Sequence, residues 1–288
     1  MRVLKPFDYF EPTSVKEAVK LLSTHGDKAQ LLAGGVDLIP RMRKGAIKAA
    51  FLINIQNIPE LDYINNGKGF KFGAMARLHS LETAKEIQKS YPILYEAIHQ
   101  ITSVQTKYMG TAVGNICVGT PASDVATVLM ALDAELTIAG AKGDRTEPMA
   151  KFYVDYLKTS LKPDEMVTGV SLPNPTAGMG TAFLNLVRTH ADIAKVTVAA
   201  ALTVENNVCK EARITIGAAA PTIFRASKAE ALLKGQKVDS QIINKAAETA
   251  AGETRPITDL RSTAEYRKEV TRVLVSRALE KALERAKG

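Results

Sequence analysis

The sequence contains no tryptophan, 6% aromatic residues and only two cysteines, Cys117 and Cys209, among 288 residues. Two cysteines cannot supply the four ligands of an iron–sulfur cluster, and we expect both to be buried free thiols. No apolar run reaches the length of a membrane span, and the N-terminus has no signal-peptide core. We therefore expect no membrane span and a cytoplasmic location.

Side-chain patterns of catalysis and metal binding are also missing. The four histidines, His25, His79, His99 and His190, are scattered and lack the spacing of a metal site. There is no GxSxG nucleophile elbow. We assign no catalytic residue and no metal ligand, so a bound cofactor must carry the reaction if the chain is part of an enzyme.

The formal charge of +8, with an isoelectric point near 9.3, raises the question of nucleic acid. The cations do not form a stripe interleaved with aromatic residues, and many alternate with glutamate near the C-terminus as on a solvated helix face. We expect no nucleic-acid partner. A basic docking face for an acidic partner subunit fits the charge at least as well.

A glycine-rich stretch, residues 110–124, is the most informative part of the chain and reads GTAVGNICVGTPASD. We call it the second glycine segment, and we interpret it as a turn-rich loop that leads into a helix over Val125–Leu132. Glycine allows close approach of the backbone to a ligand, and free N–H groups in such turns attract phosphate. Asp124 either caps the helix or accepts a hydrogen bond from a ribitol or ribose hydroxyl. Taken alone, the segment is more typical of a structural turn.

An earlier stretch, residues 30–45, reads QLLAGGVDLIPRMRKG and is called the first glycine segment. It predicts a strand near Gln30–Ala33, a turn at Gly34 and Gly35, and a helix that Asp37 can cap. It matches neither the dinucleotide fingerprint GxGxxG nor the phosphate loop of nucleotide hydrolases. Two different glycine segments about 80 residues apart predict a long ligand held from two sides.

The pattern of helices and strands is mixed, without the regular alternation of a doubly wound fold, and predicts an α+β architecture. Ser14 and Glu17 form a capping-box pattern at a first helix, and Asn65–Gly69 indicates a hairpin. A boundary is expected at Pro173–Pro175. Beyond it the sequence predicts two antiparallel strands, residues 194–205 and 208–218, joined by a turn at 206–207, and then helices at 226–234, 240–251 and 263–286.

Taken together, these segments resemble the FAD-binding (medium) subunit of the xanthine dehydrogenase and carbon monoxide dehydrogenase family of molybdenum hydroxylases. The resemblance runs from end to end and is carried by LLAGGVDLIPRM, GTAVGNICVGTPASD, RTHADIAKVTVAAAL and DLRSTAEYRKEVTRVLVSRALEKAL. It implies an α+β chain with a two-lobed PCMH-type FAD-binding domain at residues 1–173, its lobes at about 1–56 and 57–173. A C-terminal domain of antiparallel sheet plus helices follows at residues 178–288.

The resemblance also implies the binding residues for noncovalent FAD. Both glycine segments clasp its pyrophosphate, Ser123 and Asp124 reach its ribityl and ribose groups, Ile101 lies by the adenine, and Ile193 lies against the isoalloxazine ring in a loop fixed by Asp192. The expected contacts are Leu32, Ala33, Gly34, Gly35, Val36, Asp37, Leu38, Ile101, Thr111, Ala112, Val113, Gly114, Asn115, Ser123, Asp124 and Ile193. Two departures from the family pattern are Val113, where a glycine is common, and Leu184, at or next to a position where relatives carry lysine.

The function implied by the resemblance is electron transfer. Electrons leave a substrate at the molybdenum of a molybdopterin-binding large subunit and reach FAD through 2Fe–2S clusters of a small subunit. They then pass to a terminal acceptor, which is NAD, a quinone, oxygen or another carrier. Two alternatives stay open: a free-standing FAD oxidoreductase of the same superfamily, and a non-catalytic nucleotide-binding or assembly protein.

Overall fold

A three-stranded parallel sheet in the order β1-β3-β2 opens the fold in the computed structural model, which describes residues 4–67 and 69–287. Its elements are β1 (Asp8–Phe10), α1 (Val15–His25), β2 (Ala29–Leu32), α2 (Leu38–Lys44) and β3 (Phe51–Asn54). The Ser14 hydroxyl accepts a hydrogen bond from the Glu17 N–H at 3.2 Å, so the predicted cap of α1 is confirmed. The connection from β2 to its parallel neighbour β3 carries the first glycine segment at the carboxyl end of β2.

A five-stranded antiparallel sheet, in the order β4-β5-β10-β6-β7, follows and packs against a series of short helices. The elements are β4 (Ile64–Gly67), β5 (Gly69–Gly73), α3 (Leu78–Thr83), α4 (Lys85–Ser90), α5 (Pro92–His99), α6 (Val104–Met109), α7 (Ala112–Cys117), α8 (Asp124–Ala131), β6 (Glu135–Gly140), β7 (Arg145–Pro148), α9 (Met149–Phe152), β8 (Tyr153–Asp155), β9 (Lys158–Thr159) and β10 (Glu165–Leu172). The predicted hairpin is formed by β4 and β5, while Lys68 of its turn lies outside the described residues.

The second glycine segment is more regular than the sequence indicated. Its residues 112–117 form the helix α7, where a turn-rich loop was predicted. The helix begins because the Thr111 hydroxyl accepts a hydrogen bond from the Gly114 N–H at 3.0 Å, and because Ala112 and Ile116 are fully buried. A Cβ on Gly114 would lie 2.9 Å from that hydroxyl oxygen, so the glycine leaves room for the cap. Val113 lies inside α7 and is not among the residues with positive φ.

The C-terminal part of the chain is a four-stranded antiparallel sheet covered by three helices. Its elements are β11 (Met179–Leu186), β12 (Val196–Glu205), β13 (Val208–Gly217), β14 (Phe224–Arg225), α10 (Ser227–Leu233), α11 (Ser240–Glu253) and α12 (Ala264–Lys287). Asn206 and Asn207 turn between β12 and β13 with φ of 51° and 63°, as predicted. The α+β class is therefore confirmed. No helix in residues 4–67 and 69–287 has both the length and the apolar character of a membrane span.

The two halves of the chain meet at α8, whose residues from Val125 to Ala131 are all buried. The Thr127 hydroxyl lies 3.4 Å from the Thr197 hydroxyl of β12. The Ala218 N–H donates to the Pro121 carbonyl at 2.7 Å. These contacts fix the C-terminal sheet against the end of the second glycine segment.

Candidate functional site

Both glycine segments line one cleft of about 600 Å³, a volume typical of a small-molecule site. Ten of the sixteen predicted contacts lie on its wall: Ala33, Gly34, Gly35, Val36, Asp37, Leu38, Thr111, Val113, Gly114 and Asn115. Leu32, Ile101, Ala112, Ser123, Asp124 and Ile193 lie outside that wall. The cleft therefore brings together the two stretches that sequence reasoning placed on opposite sides of one ligand.

Gly34 and Gly35 are required for different physical reasons. A Cβ on Gly34 would lie 1.9 Å from the Met109 carbonyl oxygen, so only glycine lets the first segment pass the backbone between α6 and α7. Gly35 has a φ of +68°, which side chains with a Cβ rarely adopt. A Cβ there would also lie 3.2 Å from Leu32 Cδ1 and 3.3 Å from Ile39 Cγ1. The turn and the crossing of the two segments thus depend on this pair of glycines.

The turn between β2 and α2 offers a run of backbone donors. Within the described part of the chain, the N–H groups of residues 34 to 37 make no hydrogen bond to a protein acceptor. Asp37 stands at the N-cap position of α2, but its side chain makes no cap bond, so the predicted capping role is wrong. Its carboxylate accepts a hydrogen bond from Arg41 Nη1 at 3.2 Å instead. Consecutive free N–H groups before a helix form a site for an anion such as phosphate.

Two side chains that the sequence did not single out fix the backbone of the cleft. Gln56 Nε2 donates to the Ala33 carbonyl at 2.8 Å and holds the first segment. Arg77 Nη1 donates to the Tyr108 carbonyl at 2.8 Å, directly before the second segment. Neither residue lies in a recognisable motif, because each acts on a stretch more than 20 residues away in the sequence.

Ser123 and Asp124 have distinct roles at the start of α8. The Ser123 hydroxyl accepts a hydrogen bond from the Ala126 N–H at 3.0 Å and donates to Asn115 Oδ1, so Ser123 is the cap. Asp124 keeps some exposed surface, but its Oδ1 is buried and has no hydrogen-bond partner among the described residues. Its Oδ2 accepts only a long hydrogen bond of 3.5 Å from Asn185 Nδ2 of β11. Burial raises the pKa of the Asp124 carboxyl to about 7, against the opposing effect of Asn185.

Asn185 is the side chain in contact with Asp124, and the sequence did not single it out. It extends from the C-terminal sheet to Asp124 in the N-terminal half, across 61 residues of sequence. The only signal nearby was the departure from the family pattern at Leu184. Asp124 therefore lies at the contact between the N-terminal and C-terminal halves of the chain.

The loop between β11 and β12 presents Ile193 to solvent, with 52% of its surface exposed. Asp192 Oδ1 accepts a hydrogen bond from the Ile193 N–H at 3.0 Å, and Asp192 Oδ2 lies 3.3 Å from Arg188 Nε. The Lys195 N–H closes the loop by donating to the Leu186 carbonyl at 2.8 Å. Ile193 is thus an exposed apolar side chain on a loop with fixed ends.

Ile101 and Ala112, two further predicted contacts, lie outside the wall of the cleft. Ile101 packs against the N-terminal core just after α5, and Ala112 is fully buried, with its N–H 3.4 Å from the Ala76 carbonyl. The two cysteines are free thiols, as predicted. Cys209 is buried as expected, but Cys117 is only partly buried because its residue lines the cleft. Desolvation of its thiol by the surrounding protein raises the pKa to about 12.

Comparisons with known proteins agree with this geometry. Residues 5–175 match the family described as "FAD binding domain in molybdopterin dehydrogenase", and residues 181–282 match "CO dehydrogenase flavoprotein C-terminal domain". The chain is 34% identical to the 6-hydroxypseudooxynicotine dehydrogenase complex subunit alpha of Paenarthrobacter nicotinovorans, covering 99% of this chain and 97% of that one. It is 33% identical to the carbon monoxide dehydrogenase medium chain of Afipia carboxidovorans, covering 98% of each.

A solved structure shows the same similarity in three dimensions. It is that of carbon monoxide dehydrogenase from Hydrogenophaga pseudoflava, in a form lacking the Mo-pyranopterin moiety of the molybdenum cofactor. The TM-score is 0.95 at 33% identity, covering 98% of this chain and 99% of that chain. The similarity therefore includes both halves of the fold and the junction between them.

Proposed function

The chain belongs to the family of FAD-binding medium subunits of molybdenum hydroxylases, and on that premise we propose that it transfers electrons within a multi-subunit complex. It is the flavoprotein subunit of an oxidoreductase, and FAD is its cofactor. Its proposed partners are a molybdopterin-binding large subunit and a small subunit with 2Fe–2S clusters. Relatives named "medium chain" and "dehydrogenase complex subunit" support an assembly of this kind.

The side chains and backbone groups of the cleft fit FAD. The free N–H groups of residues 34 to 37 suit the pyrophosphate. The absence of a Cβ at Gly34 lets two backbone stretches approach each other, and Gly35 adopts the positive φ of the turn. The single observation that carries the proposal is the buried, unpaired Oδ1 of Asp124. A buried carboxylate oxygen without a partner is costly, and a ribityl hydroxyl would supply the missing donor.

The remaining contacts are proposed from the family to which the chain belongs. Ile101 lies by the adenine, and Ile193 covers one face of the isoalloxazine ring and excludes water there. Leu32 supports Gly35 from the end of β2, and Ser123 fixes Asn115 beside Asp124. Ala112 contributes through its backbone because its side chain is buried.

FAD held in this cleft would supply the electron chemistry. The proposed electron donors are the 2Fe–2S clusters of the small subunit, and the proposed acceptor is NAD, a quinone, oxygen or another carrier. The protein binds the cofactor, orients it and limits the access of water. Among the described residues, the wall of the cleft contains no histidine and no tyrosine. This composition favours an electron-transfer subunit over a free-standing enzyme that uses a histidine or a tyrosine as its general base.

The proposal is tested by purifying the full chain with and without co-expressed partner subunits. We expect a visible flavin spectrum, release of all flavin into the supernatant on acid precipitation, and co-purification of iron and molybdenum with the partners. Flavin retained in the pellet would contradict noncovalent binding. A flavin-loaded chain that recruits neither metal would favour the free-standing oxidoreductase, and a chain without flavin would exclude both.

A further inference from the structure

A buried arginine near the start of α12 connects three loops of the C-terminal half, one of which carries Ile193. Arg267 is 5% exposed. Its Nη1 lies 2.8 Å from the Ala218 carbonyl oxygen and 3.3 Å from the Lys195 carbonyl oxygen, and its Nη2 lies 2.6 Å from Asp259 Oδ1. One guanidinium therefore contacts the loops at residues 187–195, 218–219 and 254–262.

The location of the Arg267 side chain carries two energetic costs. It lies in the first turn of a 24-residue helix, where the helix dipole disfavours a cation. Burial of its charge adds a desolvation cost, and its Nε is buried without a partner within the described chain. Asp259 offsets part of this cost, since hydrogen bonds from Arg261 and Arg267 hold the pKa of its carboxyl below the usual range despite burial. The other two acceptors are the backbone carbonyls of Lys195 and Ala218, so the hydrogen bonds from Arg267 fix the backbone of these two loops.

Both carbonyls belong to segments that lead to proposed flavin contacts. Lys195 ends the loop that carries Ile193, and its N–H is bonded to the Leu186 carbonyl at 2.8 Å. Ala218 has a φ of 59°, and its N–H donates at 2.7 Å to the Pro121 carbonyl, two residues before Ser123. Arg267 is thus linked to the ring side of the site through Lys195 and to the ribityl side through Ala218.

We propose that Arg267 is a positioning residue for the isoalloxazine and ribityl half of FAD, acting through these two loops without touching the cofactor. The inference rests on the proposed function. It predicts an effect confined to one half of the ligand, because the pyrophosphate turn at Gly34 and Gly35 is held by Gln56 and Arg77, which Arg267 does not contact.

The test compares FAD with ADP, which contains the adenine and the pyrophosphate but not the flavin half. Affinity for each ligand is measured by calorimetric titration of the full-length apo-protein for wild type, Arg267→Lys and Arg277→Lys. Arg277 is exposed on the same helix and serves as the matched control. Lysine keeps the charge but cannot hold two acceptors in the planar geometry of a guanidinium.

For Arg267→Lys we expect FAD affinity to fall about 10- to 100-fold, with ADP affinity within about twofold of wild type. The visible circular dichroism of the bound flavin should change, and Arg277→Lys should match wild type in all measurements. Unchanged FAD affinity, or an equal loss for FAD and ADP, would overturn the inference while leaving the proposed function standing.

A second variant keeps the test decisive if Arg267→Lys does not fold. Asp259→Asn leaves Arg267 in place but removes the negative charge beside it. We expect the same selective loss of FAD affinity, smaller in size. Equal behaviour of this variant and wild type toward both ligands would count against the inference, and a wild-type chain that binds no FAD would overturn the inference and the proposed function together.

Discussion

At the scale of single residues, the energetics of the site depend on an unpaired carboxylate. Burial raises the pKa of Asp124 to about 7, well above its value of 3.8 in a model compound. A carboxyl with a raised pKa in the folded state destabilises the fold once the unfolded chain ionises. The cost grows as pH rises from the unfolded-state pKa to the folded-state pKa and is constant above it. A ligand hydroxyl that donates to Oδ1 removes part of this cost, so binding and stability are coupled at one atom.

Asp124→Asn should therefore stabilise the apo-protein at high pH and weaken the binding of FAD. Each pKa unit corresponds to about 1.4 kcal/mol, so we expect a gain of roughly 1–4 kcal/mol at pH 8 and much less at pH 4, measured by urea unfolding. FAD affinity should fall about 10- to 100-fold in titrations at pH 8. A gain in stability that does not depend on pH would show that the raised pKa of Asp124 is not its cause, and normal FAD affinity would show that Asp124 is not a ligand.

Ser123→Ala is the matched control for that variant. Ser123 caps α8, so its loss should cost about 1 kcal/mol of apo-protein stability at both pH values. The two neighbouring residues are thus expected to differ in the pH dependence of their effects, because only one of them carries a titrating group.

Gly35→Val should abolish FAD binding while most of the fold remains. Gly35 combines a φ of +68° with side chains 3.2 and 3.3 Å from the position of a new Cβ. Valine would change the turn that exposes the N–H groups. Gly235→Val is the control, since Gly235 has a φ of +77° with nothing within 4 Å of the new Cβ. Both variants should lose stability in thermal melts, but only Gly35→Val should lose the flavin absorbance; flavin retained there would contradict the assignment.

The sequence predicted which residues line the cleft more accurately than it predicted their hydrogen-bond partners. The pair Gly34-Gly35 was placed correctly in a turn between strand and helix. Asp37 was expected to cap α2, but the spacing of Asp37 and Arg41 also suits an i,i+4 ion pair, which is the interaction that forms. The local sequence pattern is compatible with both the helix cap and the ion pair, so it does not predict which of them Asp37 forms.

At the scale of secondary-structure elements, α6 and α7 were hidden from the sequence. Each has only six residues, too few to show a helical period, and each depends on a hydroxyl cap, from Ser103 and Thr111. The longer helix α8 and the strands β12 and β13 were predicted because their apolar runs are long. Short helices held by tertiary contacts are therefore the part of this fold that the sequence pattern did not reveal.

One such tertiary contact is the ion pair that holds α6 in place. Lys107 Nζ lies 2.7 Å from Glu82 Oε1 of α3, and each side chain is 11% exposed. His99 Nδ1 lies 2.9 Å from the same oxygen, and His79 Nδ1 lies 3.8 Å from Glu82 Oε2. Two of the four histidines, scattered in the sequence, therefore converge on Glu82. Burial acts to raise the pKa of Glu82, but the hydrogen bonds from Lys107 and His99 outweigh it and lower the pKa.

Lys107→Met should loosen α6 and, with it, the backbone against which Gly34 packs. A buried carboxylate would lose its strongest partner, and we expect a loss of roughly 1–3 kcal/mol in chemical unfolding together with weaker FAD binding. The matched control is Lys89→Met, because Lys89 is exposed on α4. If the two variants were equally stable and bound FAD equally well, α6 would not depend on this pair.

At the scale of the whole molecule, the sequence predicted the class of each half but not how the halves join. Periodicity predicts one apolar face of α12 formed by Val270, Leu274, Ala278 and Ala282; the last three are buried in the C-terminal core, and Val270 is partly buried against it. It does not predict that Asp133, directly after α8, contacts Arg213 of β13 at 2.5 Å and Arg225 of β14 at 3.1 Å. Contacts between residues 80 or more positions apart have no local signature.

This junction should make the two halves unfold as one unit. Asp133→Asn would leave Arg213, only 7% exposed, with Glu211 at 3.6 Å as its nearest remaining carboxylate. Because Asp133 itself is partly exposed, we expect a moderate loss of roughly 1–3 kcal/mol in urea unfolding, still in one transition. Asp144→Asn, on an exposed turn, should change nothing.

The Asp133→Asn variant also tests whether the junction between the halves affects FAD binding. Asp133 and Asp124 lie at opposite ends of α8, which is about 12 Å long for 8 residues. FAD at 100 times its Kd should therefore stabilise Asp133→Asn and wild type equally, by about 2.7 kcal/mol. Two separate transitions in wild type would show that the halves unfold independently. A smaller FAD effect in Asp133→Asn would show that the far end of α8 also shapes the flavin site.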